Sequence, residues 1–146
     1  MIDRFNIRVY GLLFNEHKEV LLSHESAKEI KFSKFPGGGL EFGEGSHDCL
    51  KREFIEELGL PLEKLEHFYT TEHFFQSAFR NSDQIMSLYY RVYATNQSVQ
   101  RLERPSFASP NEDLYFEWYK ISELKEDIFR FPIDKIVAAK LRALKL

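Results

Sequence analysis

Sulfur is scarce in this chain, with one cysteine, Cys49, and two methionines among 146 residues. A lone cysteine excludes an internal disulfide and fits a reducing compartment. No apolar run approaches the roughly 18–20 residues of a membrane span. The opening Met1-Ile2-Asp3-Arg4 lacks the character of a signal peptide, so a cytoplasmic location with no membrane partner is expected. Surplus positive charge is missing too. The net charge is −3 and the pI is near 6.0, which leaves no electrostatic footprint for a nucleic-acid backbone. Nucleic acid is therefore not an expected partner, and a polyanionic small molecule would have to be received by metal and local basic residues. Internal repeats, low-complexity tracts and linkers are absent. One domain over residues 1–146 follows, and 43% hydrophobic residues against 29% charged ones suffice for a buried core.

What the chain does have is a glycine run followed at once by an acidic helix. Pro36-Gly37-Gly38-Gly39 frees the backbone, so that carbonyls or amides can be aimed at a metal or a phosphate where a side chain would obstruct. A tight turn or a β-bulge would use the same residues. Ser46 suits an N-cap, Asp48 suits the first helical turn, and Gly59 suits a left-handed C-terminus. The spacing predicts a helix from about His47 to Leu58, with Leu50, Phe54 and Leu58 on one stripe and Glu53, Glu56 and Glu57 together on its flank. Glu53 and Glu57 form an i,i+4 like-charge pair that only Arg52, reaching Glu56, partly offsets. A hard divalent cation neutralises such a cluster with oxygen ligands and leaves coordination sites for substrate phosphates. A solvated acidic face is the plainer explanation of three glutamates, and their fixed spacing tells against it.

Gly38, Glu44, Arg52, Glu53, Glu56, Glu57 and Gly59 stand at the seven fixed offsets of the Nudix box, so the stretch Gly38 to Leu60 resembles that of the Nudix hydrolase family. The odds of a chance match somewhere in the chain are on the order of 10⁻⁷ or less. Phe54 departs mildly, since the family more often carries an aliphatic residue there. The resemblance implies an α+β fold, an α/β/α sandwich with a central mixed β-sheet flanked by helices. It implies a pyrophosphohydrolase that uses Mg²⁺, or Mn²⁺, on a nucleoside diphosphate linked to another moiety. By residue, it implies that Glu56 and Glu57 hold metal and that Glu53 holds metal or accepts the proton of the attacking water. Arg52 would orient the carboxylates, and a carbonyl at Gly37 or Gly38 would join the metal shell. Glu44 would support the site and Glu41 would be structural. Many relatives are dimers, so a homodimer is a further expectation.

Elsewhere, Phe5–Phe14 and Val20–Ser23 read as a β-hairpin across the turn Asn15–Lys18, and Glu25–Lys34 reads as a loop. Phe68–Phe75 and Gln84–Thr95 are strand-like, with Ser77–Asp83 connecting them. Within this region Phe75 and Arg80, with His73, Phe74 and Phe79, could stack on a base or touch a phosphate, although strand packing accounts for any one of them. Substrate contacts are thus assigned to Gly37, Gly39, Phe75 and Arg80. Gln97–Asn111 reads as a long loop, beyond which Glu112 is the candidate for one more metal ligand, with Glu103 and Glu117 as competitors. Leu114–Ile121 is a strand, Ser122 starts a short turn, and Pro132 opens an amphipathic C-terminal helix. Cys49 reads as a small buried apolar residue, because an oxygen-rich site disfavours a soft ligand. Two other functions are consistent with the family: a module that senses a nucleotide-sugar or ADP-ribose without cleaving it, which the intact glutamates disfavour, and an isoprenoid-diphosphate isomerase, which would need a protonating group the chain lacks outside Cys49.

Overall fold

The computed structural model describes residues 1–104, 106–108 and 114–144. Eight strands and three α-helices follow in the order β1 (Arg4–Leu13), β2 (Glu19–Ala27), β3 (Ile30–Lys34), β4 (Gly37–Gly39), α1 (Ser46–Leu58), β5 (Lys64–Thr70), β6 (Asp83–Tyr93), α2 (Asn96–Gln100), β7 (Ser106–Ala108), β8 (Leu114–Lys120) and α3 (Pro132–Arg142). Two short 3₁₀ turns, Ile121–Glu123 and Glu126–Ile128, link β8 to α3. No described helix is long and apolar enough to cross a membrane.

The strands form two four-stranded sheets. One is mixed, ordered β4-β1-β6-β5 with β1 and β6 parallel; the other is antiparallel, ordered β3-β2-β8-β7. Alternation along β1 explains the layering. Val9 and Leu13 pack with Leu50 and Phe54 of α1, while Tyr10 and Leu12 pack with Ile133, Val137 and Leu141 of α3. The sheets lie between the two helices, as an α/β/α sandwich requires. Phe54, the atypical residue of the box, fits because β1 carries Gly11 beneath it. A Cβ at Gly11 would stand 2.6 Å from the Phe54 ring.

Four local readings are corrected. β1 and β2 do not form a hairpin: only the single bridge Phe14–Val20 joins them, and each strand enters a different sheet. Both are apolar on two faces near the connection (Leu12 and Leu13; Val20, Leu21 and Leu22, all buried), a pattern of strands covered on both sides. Residues 25–34 are not a loop, because β2 runs on to Ala27 and pairs with β3. The turn between them places Lys28 and Glu29 at φ 49° and 65°, left-handed at both positions without the Asn-Gly or Asp-Gly that usually announces such a turn. The strand expected over 68–75 is Lys64–Thr70, displaced towards the helix and broken by a bulge between His67 and Tyr69. The long loop after β6 contains α2, whose Thr95 hydroxyl accepts from the Ser98 amide at 3.1 Å, and β7.

Candidate active site

Helix α1 begins at Ser46, with Gly45 rather than Ser46 as its cap. The Gly45 amide donates to the Asp48 carboxylate at 2.9 Å, and the Ser46 hydroxyl pairs instead with the Tyr90 hydroxyl at 2.8 Å. The helix ends at Gly59, φ 62°, as expected from its sequence. Burial of Leu50 and Phe54 fixes the rotation of the helix, so that on the adjoining flank Glu53 lies against Gly38 and Arg52 reaches the Gly39 carbonyl of β4.

Arg52 is the hub of this flank. It donates to both oxygens of Glu44 at 3.0 and 2.7 Å, to Glu53 at 2.9 Å, to Glu56 at 3.3 Å and to the Gly39 carbonyl at 3.2 Å. The bidentate grip, joined by the Glu41 amide donating to Glu44 at 2.9 Å, holds the Glu44 carboxyl down at about 2 and raises the already high Arg52. Glu44 is thus a fixed anion that anchors the arginine. Glu41, with its side chain 67% exposed, adds only a longer contact.

Gly38 and Glu53 fit together. A Cβ on Gly38 would stand 2.6 Å from Glu53 Oε1, so a residue without a side chain lets the carboxylate lie against the backbone. Gly37 has φ 148°, and a Cβ there would collide with the Val9 carbonyl. Glu57 lies deeper. Its Oε2 is buried with no hydrogen-bond partner among the described residues. Burial, with Glu53 adding and Lys34 opposing, pushes its carboxyl up to about 7. Such an atom asks for a cation.

Of the expected site residues, Gly38, Gly39, Arg52, Glu53 and Glu57 are gathered at one place. Glu56 stands at its edge, 57% exposed and paired with Arg52. No group of three or more described His, Cys, Asp or Glu side chains is set to hold a metal as it stands. Glu112 lies outside the described residues. Of its competitors, Glu103 sits 3.8 Å from His17 and Glu117 sits 2.8 Å from His24. Cys49 is buried, its thiol donating to the Gly39 carbonyl at 3.5 Å. Desolvation, aided by Glu44, pushes the thiol up to about 12.

A cavity of about 430 Å³ is lined by Tyr10 and Lys34, both neighbours of Gly37, and by Phe75 and Arg80. Sequence reading missed three of its polar walls: Arg8 of β1, Lys34 of β3 and Asp134 of α3. Asp134 is buried, accepts from the Tyr89 hydroxyl at 2.8 Å, and is pushed by desolvation up to about 6. The signal available for Arg8 was a charge inside a run of branched and aromatic residues.

A NUDIX domain family model matches residues 4–140. The chain belongs to this family and is a hydrolase acting on phosphoric anhydride bonds. It is 27% identical over 136 residues to the 8-oxo-dGTP diphosphatase of Escherichia coli K12, covering 92% of this chain and 94% of that protein. Among solved structures, the MutT NUDIX hydrolase of Burkholderia pseudomallei superposes with a TM-score of 0.68 at 17% identity, over 94% of this chain and 98% of that one. The MutT protein of Bacillus halodurans gives 0.65 at 20% identity, over 97% and 85%. These likenesses carry the fold. Hydrolases of this family generally use divalent metals.

Proposed function

We propose that the chain is a single-domain, cytoplasmic pyrophosphohydrolase that splits the diphosphate linkage of a nucleoside diphosphate derivative with Mg²⁺, or Mn²⁺, bound. One observation carries this reading: the buried oxygen of Glu57, with no hydrogen-bond partner among the described residues, lies within electrostatic reach of Glu53 and of Lys34, which lines a cavity of a size suited to a small ligand. The donor set is all oxygen, the chemistry of a hard divalent ion.

Glu57, Glu56, Glu53 and the Gly38 carbonyl would hold the metal. When bound, it neutralises charge on the diphosphate and lowers the pKa of a coordinated water. The protein's own share is positioning and electrostatics, which phosphoryl transfer chiefly asks for. Arg52, anchored by Glu44, orients Glu53 and Glu56. Glu53, pressed against Gly38, would hold metal or take the proton of the attacking water. The cavity walls Phe75 and Arg80 receive the nucleoside end, where stacking and a guanidinium both serve.

The test is a nucleotide panel that includes 8-oxo-dGTP, the substrate named for the E. coli relative, assayed for phosphate and pyrophosphate release in Mg²⁺ or EDTA. Turnover in Mg²⁺ that disappears in EDTA supports the reading. Ligand-induced stabilisation without product from any nucleotide would replace it with a sensing module.

A further inference from the structure

Two cations in the cavity wall have few close hydrogen-bond partners among the described residues. Lys34 is 7% exposed, yet among the described residues its ammonium reaches only the Gly37 carbonyl and the Glu25 carboxylate, each at 3.5 Å, the outer limit of a hydrogen bond. An ammonium has three donors, and a buried one without close acceptors is costly. The guanidinium of Arg8 has one described hydrogen bond, from Nε to the Tyr10 hydroxyl at 2.6 Å, and no ion pair with a described carboxylate. Its remaining donors belong to a side chain that lines the cavity.

The two charges flank one ring. Arg8 Cζ lies 5.7 Å and Lys34 Nζ 5.6 Å from the Tyr10 centroid. Both are also tied electrostatically to the acidic helix. Tyr10 raises the Arg8 guanidinium most, with smaller effects from Glu25 and then Glu53, and Lys34 counters the upward push on Glu57. The pair therefore stands where the carboxylate cluster meets the cavity. A planar fork and a point charge converging from two strands suit an anion with several oxygens.

We propose that Arg8 and Lys34 form a phosphate grip: they bind the non-bridging oxygens of the substrate's diphosphate on the side away from Glu53 and Glu57. This rests on the reading of the site as a pyrophosphohydrolase. The grip holds the phosphate that stays with the cavity-bound group, so the carboxylate cluster faces the other.

The probe is methylenediphosphonate, whose carbon bridge water does not cut, added in EDTA so that no metal contributes. Wild type binds it in calorimetry and melts higher in its presence. Arg8→Met and Lys34→Met each raise Kd roughly 10- to 100-fold, the range expected for a lost charge-assisted contact, while Lys64→Met, an exposed charge on β5, matches wild type. Absence of a melting shift in wild type overturns the grip without reference to any variant. If a methionine variant fails to fold, Arg8→Gln or Lys34→Gln is read in its place. Turnover of the nucleotide panel in Mg²⁺ with unchanged diphosphonate affinity in both variants overturns the grip and leaves the enzyme reading standing. Weakened diphosphonate binding with no turnover of any nucleotide supports the grip and overturns that reading.

Discussion

Replacing Asp134 by asparagine should make the protein more stable, by an amount that grows as the pH rises from 3.8 to about 6. The ordinary carboxyl value is 3.8, and burial lifts it to about 6 in the fold, against the opposing effects of Tyr89, Lys34 and Arg8. A folded value above the unfolded one means that the native state favours the protonated form. Below pH 3.8 both states carry the proton and this group has no effect. As the pH climbs from there to about 6, the unfolded chain ionises while the native one resists, and native stability falls. At about 1.4 kcal/mol per pH unit the gap amounts to about 3 kcal/mol, fully developed above pH 6. Asparagine keeps an acceptor for the Tyr89 hydroxyl, which Asp134 receives at 2.8 Å, and removes the buried charge. Urea unfolding of both proteins at pH 4 and pH 7.5 measures the effect, and titrations elsewhere cancel in the difference. The variant should gain about 3 kcal/mol at pH 7.5 and under about 1 kcal/mol at pH 4. Equal gains at the two pH values, or a loss at pH 7.5, would show that burial does not raise the Asp134 carboxyl.

Gly38→Ala should fold and melt like wild type, because the obstructed group is the mobile end of Glu53. The displaced carboxylate should cost on the order of 10² in kcat, and unchanged turnover would detach Glu53 from the chemistry. Cys49, with its thiol pushed up to about 12, should resist iodoacetamide at pH 8 in the native protein and react once unfolded in urea; rapid native labelling, followed by mass, would contradict its burial. Gly11→Ala should lose about 1–3 kcal/mol in denaturant unfolding, since the new methyl meets the Phe54 ring against a packed core. A neutral result would mean that Phe54 has room to shift.

The box could be read from sequence because its chemistry is local. Arg52, Glu53, Glu56 and Glu57 share one turn and a half of a helix, and helical spacing alone puts them on one flank. The supporting role of Glu44, which precedes the helix, was implied only by the resemblance of the box. Strand pairing was harder. β1 and β2 are neighbours in sequence and strand-like in composition, yet their two-sided burial sends them to separate sheets. The turn at Lys28 and Glu29 hid β3, because nothing in those residues announces left-handed backbone. The cavity walls were the least legible. Lys34 sits in a polar, lysine-bearing stretch that resembles solvated surface, and Asp134 in a first helical turn is explained by the helix dipole. Their burial emerges only when β1, β3 and α3 come together, and that is a property of the tertiary fold.

The account depends on Glu57 facing a cation in a water-poor site. Calorimetric titration of the folded protein with Mg²⁺, alongside Glu57→Gln and followed by turnover of the best nucleotide of the panel, tests this most directly. The account predicts a binding isotherm for wild type, none for the variant at the same melting temperature or higher, and a matching loss of turnover. Undiminished Mg²⁺ binding and turnover in Glu57→Gln would contradict it.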